Sequence, residues 1–209
     1  MKILEVSVFK KTFSIALIGG ICSGKTEFLK AFSDFGAQVL SADDCVKDLW
    51  QDASVEKELR QVFELPIHLP FSLSYIRGQM LQDAKKRLAL EKILHPKVFA
   101  AIARSIERCK ESYMVVEMPL FVEINCPIDF DRVLLIDVPE SVQISRLKER
   151  SLPYVQAKEF ISIQATHEQR FNVAQEVIRN TVSKPLIPKI VQKLHTHYQQ
   201  LSGNFQVIC

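Results

Sequence analysis

Apolar positions along this 209-residue chain fall into two alternating patterns. Continuous runs of strand length occur at Phe13–Ile18, at 37–42 (AQVLSA), at Tyr113–Glu117 and at Arg132–Asp137, with a shorter run at Val177-Ile178. Unbroken apolar runs suit parallel strands that are covered on both faces. Between them the period becomes helical. Phe28, Leu29, Phe32 and Phe35 share a face, and Gly36 is a stop signal. Val98, Ile102 and Ile106 repeat that spacing in 97–109. The clearest stripe is Ile187, Ile190, Val191, Leu194, Tyr198 and Leu201, expected to end at Gly203. A further helix from Pro139 to about Arg150 opens with Pro and Glu, which suit a first turn. Strands alternating with helices predict a three-layer α/β fold with a mainly parallel five-stranded sheet.

Two stretches break the alternation. From Val46 to about Leu94 the pattern is mixed and largely helical, interrupted by Pro66 and Pro70, with Ser72 as the cap of a helix running toward Arg87. Residues 151–170 are polar around Phe160, Ile161 and Ile163, and read as a helical flap. Residues 1–10 alternate loosely and fit either an edge strand or an ordered tail, while the apolar end Phe205–Cys209 has no evident place.

Composition narrows the class without changing this picture. Hydrophobic content of 47% with 24% charged residues is ordinary for a globular chain and argues against long disorder. A net charge of +3 is too small to argue for a nucleic-acid partner. Five scattered cysteines without CxxC spacing suggest reduced thiols. Apolar runs stay short of the ~20 residues a membrane span needs, and Met1–Lys11 lacks a signal-peptide core. The expectation is a cytoplasmic protein, a monomer or weak oligomer, with no nucleic-acid or membrane partner.

The candidate chemistry lies in Gly19-Gly20-Ile21-Cys22-Ser23-Gly24-Lys25-Thr26, a glycine, four residues and Gly-Lys-Thr between a predicted strand and a predicted helix. In that context backbone N–H groups and a helix N-terminus converge on phosphate oxygens. Lys25 is then expected to reach the β- and γ-phosphates, and Thr26 to ligate Mg²⁺. GTPase signatures DxxG and NKxD are missing, and Glu117, two residues before Pro119, stands where an ATPase carries a Walker-B aspartate. A kinase is favoured. Asp43, after the second strand, reads equally as a base for an acceptor hydroxyl or as a helix N-cap. Arg146 and Arg150, four apart on one helix, read equally as phosphate clamps or as a solvated basic face. Histidines show no metal-site spacing: His195 and His197 are two apart, and His68 and His167 stand alone.

Several segments, in order, resemble the dephospho-CoA kinase family: Ile18–Thr26 its TGGIGSGKS, Phe35–Asp43 its glycine, strand and Asp-Ala-Asp, and Leu90–Pro96 its LExxxHP. Pro119–Glu123 resembles PLLxE; Gln143, Arg146 and Arg150 resemble QxxRxxxR; and Gln164–Arg170 with Ala174 and Val177–Asn180 resembles the closing segment. The chain departs from the pattern at Cys22, Ser41 and Gln175, and 51–75 lacks the family's glycine-bearing turns. The resemblance implies one domain over 1–209, with a core at 11–45, 97–145 and 171–203, a helical acceptor-binding insertion at 46–96 and a lid at 146–170. It implies ATP-dependent phosphorylation of the ribose 3′-hydroxyl of dephospho-CoA, with Mg²⁺ and with Asp43 and Lys25 catalytic. Gly20, Cys22, Ser23, Gly24, Lys25, Thr26, Glu27, Arg146 and Asn180 would bind ATP. Asp43, Arg77, His95 and Glu123 would face the acceptor, and Arg150 would belong to the lid. Alternatives are another small-molecule or nucleoside kinase of the same fold, or a nucleotide-binding regulatory protein without catalysis.

Overall fold

A computed structural model describes residues 12–66, 68, 71–181 and 184–204, with the backbone only for residues 73, 77, 80, 81, 82 and 204. Segments 1–10 and 205–209 therefore lie outside the described residues. The chain forms two compact units, residues 1–41 with 105–209, and residues 42–104.

The first unit is built on five strands: β1 (Phe13–Ile18), β2 (Gln38–Ser41), β3 (Tyr113–Glu117), β4 (Arg132–Asp137) and β5 (Glu176–Arg179). They pair in the order β2-β3-β1-β4-β5, every pair parallel. Successive side chains point to opposite faces. Phe13, Ile15, Leu17, Tyr113, Val115, Leu134 and Ile136 join one core with α1 (Lys25–Asp34) and α9 (Ile187–Asn204). On the other face Ala16, Met114, Val116 and Leu135 are equally buried. Burial on both faces explains the unbroken apolar runs of β1 and β3. This is the α/β fold with a parallel five-stranded sheet expected from the sequence. In open parallel sheets ligands sit beyond the carboxyl ends of the strands, where the strand order reverses. Here β1 lies between β3 and β4, which places that point at Gly19.

Around the sheet run α6 (Glu140–Glu149), α7 (Tyr154–Ser162) and α8 (His167–Val173). Thr166 and Gln169 form a reciprocal capping box that starts α8. Gly203 lies inside the last turn of α9 and does not end it.

The helical unit contains α2 (Ala42–Leu49), α3 (Ala53–Val62), α4 (Leu73–Gln82) and most of α5 (Ala84–Arg108). Val55, Leu59, Phe63, Ile76, Leu90 and Leu94 form its core. Two sequence expectations are corrected here. The helix capped by Ser72 stops at Gln82, because the Asp83 carboxylate accepts the N–H groups of Lys85 and Lys86 and starts a new helix. That helix then runs 25 residues through Pro96, so the stripe of Val98, Ile102 and Ile106 is its second half and His95 is mid-helix. Proline removes one backbone donor and crowds the preceding turn, and the turns on either side, with Leu94 and Val98 buried, hold the helix together.

Candidate active site

β1 leads into a loop that ends at Gly24, the N-cap of α1. Gly24 has φ 99°, and a Cβ there would stand 2.5 Å from Asn180 Nδ2. Backbone angle and space both demand glycine. No side chain caps α1 among the described residues, and the N-terminus of such a helix turns its first backbone N–H groups toward an anion. Lys25 is 8% exposed. Its Nζ donates to the carbonyls of Gly19 (2.9 Å) and Gly20 (3.1 Å), which keeps the cation along the loop. Thr26 donates its hydroxyl to Glu117 Oε1 at 3.2 Å, and Glu117 ends β3 with its side chain buried.

Side chains from distant segments brace this loop. Arg146 donates to the carbonyls of Cys22 (3.0 Å), Ser23 (3.3 Å) and Asn180 (3.1 Å). Asn180, buried, donates Nδ2 to Ser23 O at 2.8 Å and its own N–H to Asp137 O at 2.7 Å. Gln143 Nε2 donates to Ile21 O, and Gln164 Oε1 accepts from Ile21 N, each at 2.8 Å. Cys22 adopts φ 56° and is half-buried.

Beside the loop lies a cavity of about 450 Å³, lined among others by Asp137, Gln143, Gln164, His167, Arg170 and Arg179. Asp137 Oδ1 pairs with His167 Nδ1 at 2.9 Å, and Arg179 Nε lies 3.9 Å from Oδ2. The Arg170 guanidinium packs against Gly20, where an added Cβ would be 3.1 Å from Nη2. Arg170 donates to Ala165 O and has no ion pair among the described residues. Burial lowers its pKa below the ordinary arginine value, opposed by the charges of Glu123 and Asp137. A partly desolvated cation next to a phosphate-type loop is poised for an anion.

Not every residue singled out in the sequence sits at the loop. Gly20, Cys22, Ser23, Gly24, Lys25 and Thr26 form it, and Arg146 and Asn180 brace it from behind. The Arg146/Arg150 pair divides: Arg146 is half-buried against the loop, whereas Arg150 is an exposed C-cap residue. Glu27 is exposed and pairs with Lys184 at 2.9 Å. Glu123, also exposed, accepts the N–H of Ala165 at 2.7 Å. Asp43, Arg77 and His95 belong to the helical unit. Asp43 is the second residue of α2, inside the helix and not its cap, and is exposed. His95 is half-buried beside Phe99. The side chain of Arg77 lies outside the described residues. Gln164 and Arg170 appeared in the sequence only as parts of a motif; the Gln164 bond to Ile21 spans 143 residues and Arg170 packs on the similarly remote Gly20, and neither leaves a local signal.

A parallel sheet in this order, with a glycine-lysine-threonine loop at its reversal point, defines a nucleotide-binding protein of the P-loop class. The model of the dephospho-CoA kinase family matches residues 13–185. A dephospho-CoA kinase from Coxiella burnetii is 30% identical over 194 residues, covering 90% of this chain and 98% of the relative. A crystal structure of a Thermus thermophilus protein matches with a TM-score of 0.78 at 22% identity, covering 90% of this chain and 98% of that one. Campylobacter jejuni dephospho-CoA kinase matches with a TM-score of 0.65 at 20% identity, again over 90% and 98%. The chain belongs to the dephospho-CoA kinase family, and it is a nucleotide-binding transferase of coenzyme A biosynthesis.

Proposed function

We propose that the protein transfers the γ-phosphoryl group of ATP to the ribose 3′-hydroxyl of dephospho-CoA, with the ATP phosphates in the Gly19–Thr26 loop. What carries this reading is that the family match spans residues 13–185 and so takes in the loop, Asp43, Glu117 and Arg170 together. Phosphoryl transfer needs little covalent chemistry from the protein; positioning and charge compensation dominate. Lys25 lies along the loop and supplies positive charge at the phosphates. Arg170, beside Gly20, supplies a second cation for the group in flight. Asp43, exposed at the start of α2, accepts the proton of the acceptor hydroxyl. The helical insertion at 46–96 carries the acceptor, and residues 146–170 act as the lid.

The residues present fit Mg²⁺. Thr26 Oγ1 and Glu117 Oε1 are hard oxygen donors 3.2 Å apart, and Mg²⁺ is held by one or two such groups together with phosphates and water. Bound there with ATP, it would neutralise charge that builds on the phosphate oxygens.

A coupled ADP-release assay across dephospho-CoA, nucleosides and nucleoside monophosphates tests the reading. Turnover with dephospho-CoA, yielding coenzyme A, is expected. Turnover of another acceptor alone would replace the substrate, and ATP binding without transfer to any acceptor would favour a regulatory role.

A further inference from the structure

Both backbone polar groups of Ile21, in the phosphate loop, are held by glutamines of opposite polarity. Gln143, 4% exposed on α6, donates Nε2 to the Ile21 carbonyl. Gln164, between α7 and α8, accepts the Ile21 N–H on Oε1. Space there is tight: a Cβ on Gly20 would stand 2.4 Å from Gln143 Nε2.

The polarity has a consequence for the loop. In a trans peptide the C=O of one residue and the N–H of the next point in opposite directions. The carbonyls of Ile21, Cys22 and Ser23 are all drawn toward side chains of α6 and Asn180, by Gln143, Arg146 and Asn180. The N–H groups of Cys22, Ser23 and Gly24 are therefore turned the other way, into the loop, and that of Ser23 meets Gly20 O at 3.1 Å. Turning a peptide over would strip a buried side chain of its partner, at the cost of an unsatisfied group. Gln164 adds a link of a different kind. Its neighbour Ala165 is tied to Glu123 through its N–H and to Arg170 through its carbonyl. The Gln164 bond thus joins the order of the loop to the placement of the segment that carries Arg170.

We infer that Gln143 and Gln164 are positioning residues: a donor-and-acceptor clamp on Ile21 that orients the loop's N–H groups toward phosphate and couples the loop to the α7–α8 segment. The inference rests on the reading that ATP phosphates occupy this loop. Glutamate at the two sites separates polarity from charge. At position 164 it keeps the acceptor that Ile21 N–H needs. At position 143 it sets an acceptor against an acceptor.

The test measures ATP affinity by titration, and exchange of the Ile21 amide by nuclear magnetic resonance, in the full chain. Gln143→Glu should weaken ATP by about tenfold or more relative to Gln164→Glu. Gln164→Glu should keep the Ile21 amide protected, whereas Gln164→Met should release it. Because Gln143 is buried, Gln143→Met serves where the charged variant does not fold. It keeps the volume without the donor, and should raise the KM for ATP by about fivefold with little change in the KM for the acceptor. Equal losses in the two glutamate variants would reduce the effect to charge and overturn the clamp. So would wild-type ATP affinity in Gln143→Met, or an Ile21 amide equally protected in Gln164→Met. Amide exchange reads the clamp without any acceptor, so failure of the proposed substrate stays separate from failure of the clamp.

Discussion

The two units of this chain hold their polar side chains by different means. In the sheet unit, the phosphate loop is held by side chains that arrive from 122, 143 and 157 residues away, at Gln143, Gln164 and Asn180. Ser14 is likewise anchored to Asp131, 117 residues on. In the helical unit, most polar contacts among the described residues are local: Asp52 caps Ser54, Ser72 caps Tyr75, and Arg60 pairs with Glu56 one turn back. Lys97 to Glu58 is a longer tie, between α5 and α3. Caps and one apolar cluster hold the helices of this unit, and its exposed polar side chains keep their rotamer freedom. A phosphate loop has no such freedom, since the direction of each N–H matters to the ligand. Polar side chains at the phosphate loop are placed by hydrogen bonds between distant segments, and those of the helical unit by local caps and pairs around a small apolar core.

Four experiments bear on that contrast. The largest effect is expected from Asp43→Asn in the helical unit, which should lower kcat by about 10²–10⁴-fold while ATP still binds; an active variant would remove Asp43 as the base. Lys25→Ala, in the sheet unit, should reduce kcat by about 10²–10³-fold and also weaken ATP binding, so the two variants separate chemistry from donor binding. Third is Leu59→Ala, at a fully buried position of the helical core. It should destabilise that unit by about 2–5 kcal/mol, and denaturant unfolding followed by hydrogen exchange should show α3–α5 opening before the sheet. Simultaneous opening of both units would erase the distinction between them.

The smallest effect concerns Asp52, the exposed N-cap of α3. Hydrogen bonds from the Ser54 hydroxyl and then its N–H hold the Asp52 carboxyl below its ordinary pKa. A depressed folded-state pKa gives stability that is present above the unfolded value and lost as pH falls through the folded one. Asp52→Ala should therefore lower the melting temperature near neutral pH by about 2 °C or less, with the gap to wild type closing on acidification. A gap that widens at low pH would contradict the cap.

Legibility followed the same division. β1, β3 and β4 were readable because burial on both faces leaves a nearly unbroken apolar run, and the phosphate loop because its glycines, lysine and threonine all fall within Gly19–Thr26. The break at Asp83 was missed, since an aspartate that caps a new helix looks like one more polar residue on the face of an old one. Proline ordinarily marks a helix boundary, yet buried Leu94 and Val98 carry α5 across Pro96.

By itself the sequence determined the alternation of strands and helices, the phosphate loop between β1 and α1, and the family. All of these are written in residues close together along the chain. Tertiary structure alone decided that Arg146 braces the loop while Arg150 faces solvent, that Asn180 lies buried beneath Ser23, and that two glutamines grip Ile21. Periodicity reports which side of an element is apolar. It carries no record of which distant backbone group a polar side chain will meet, because that depends on strand order and on the turns that bring the elements together.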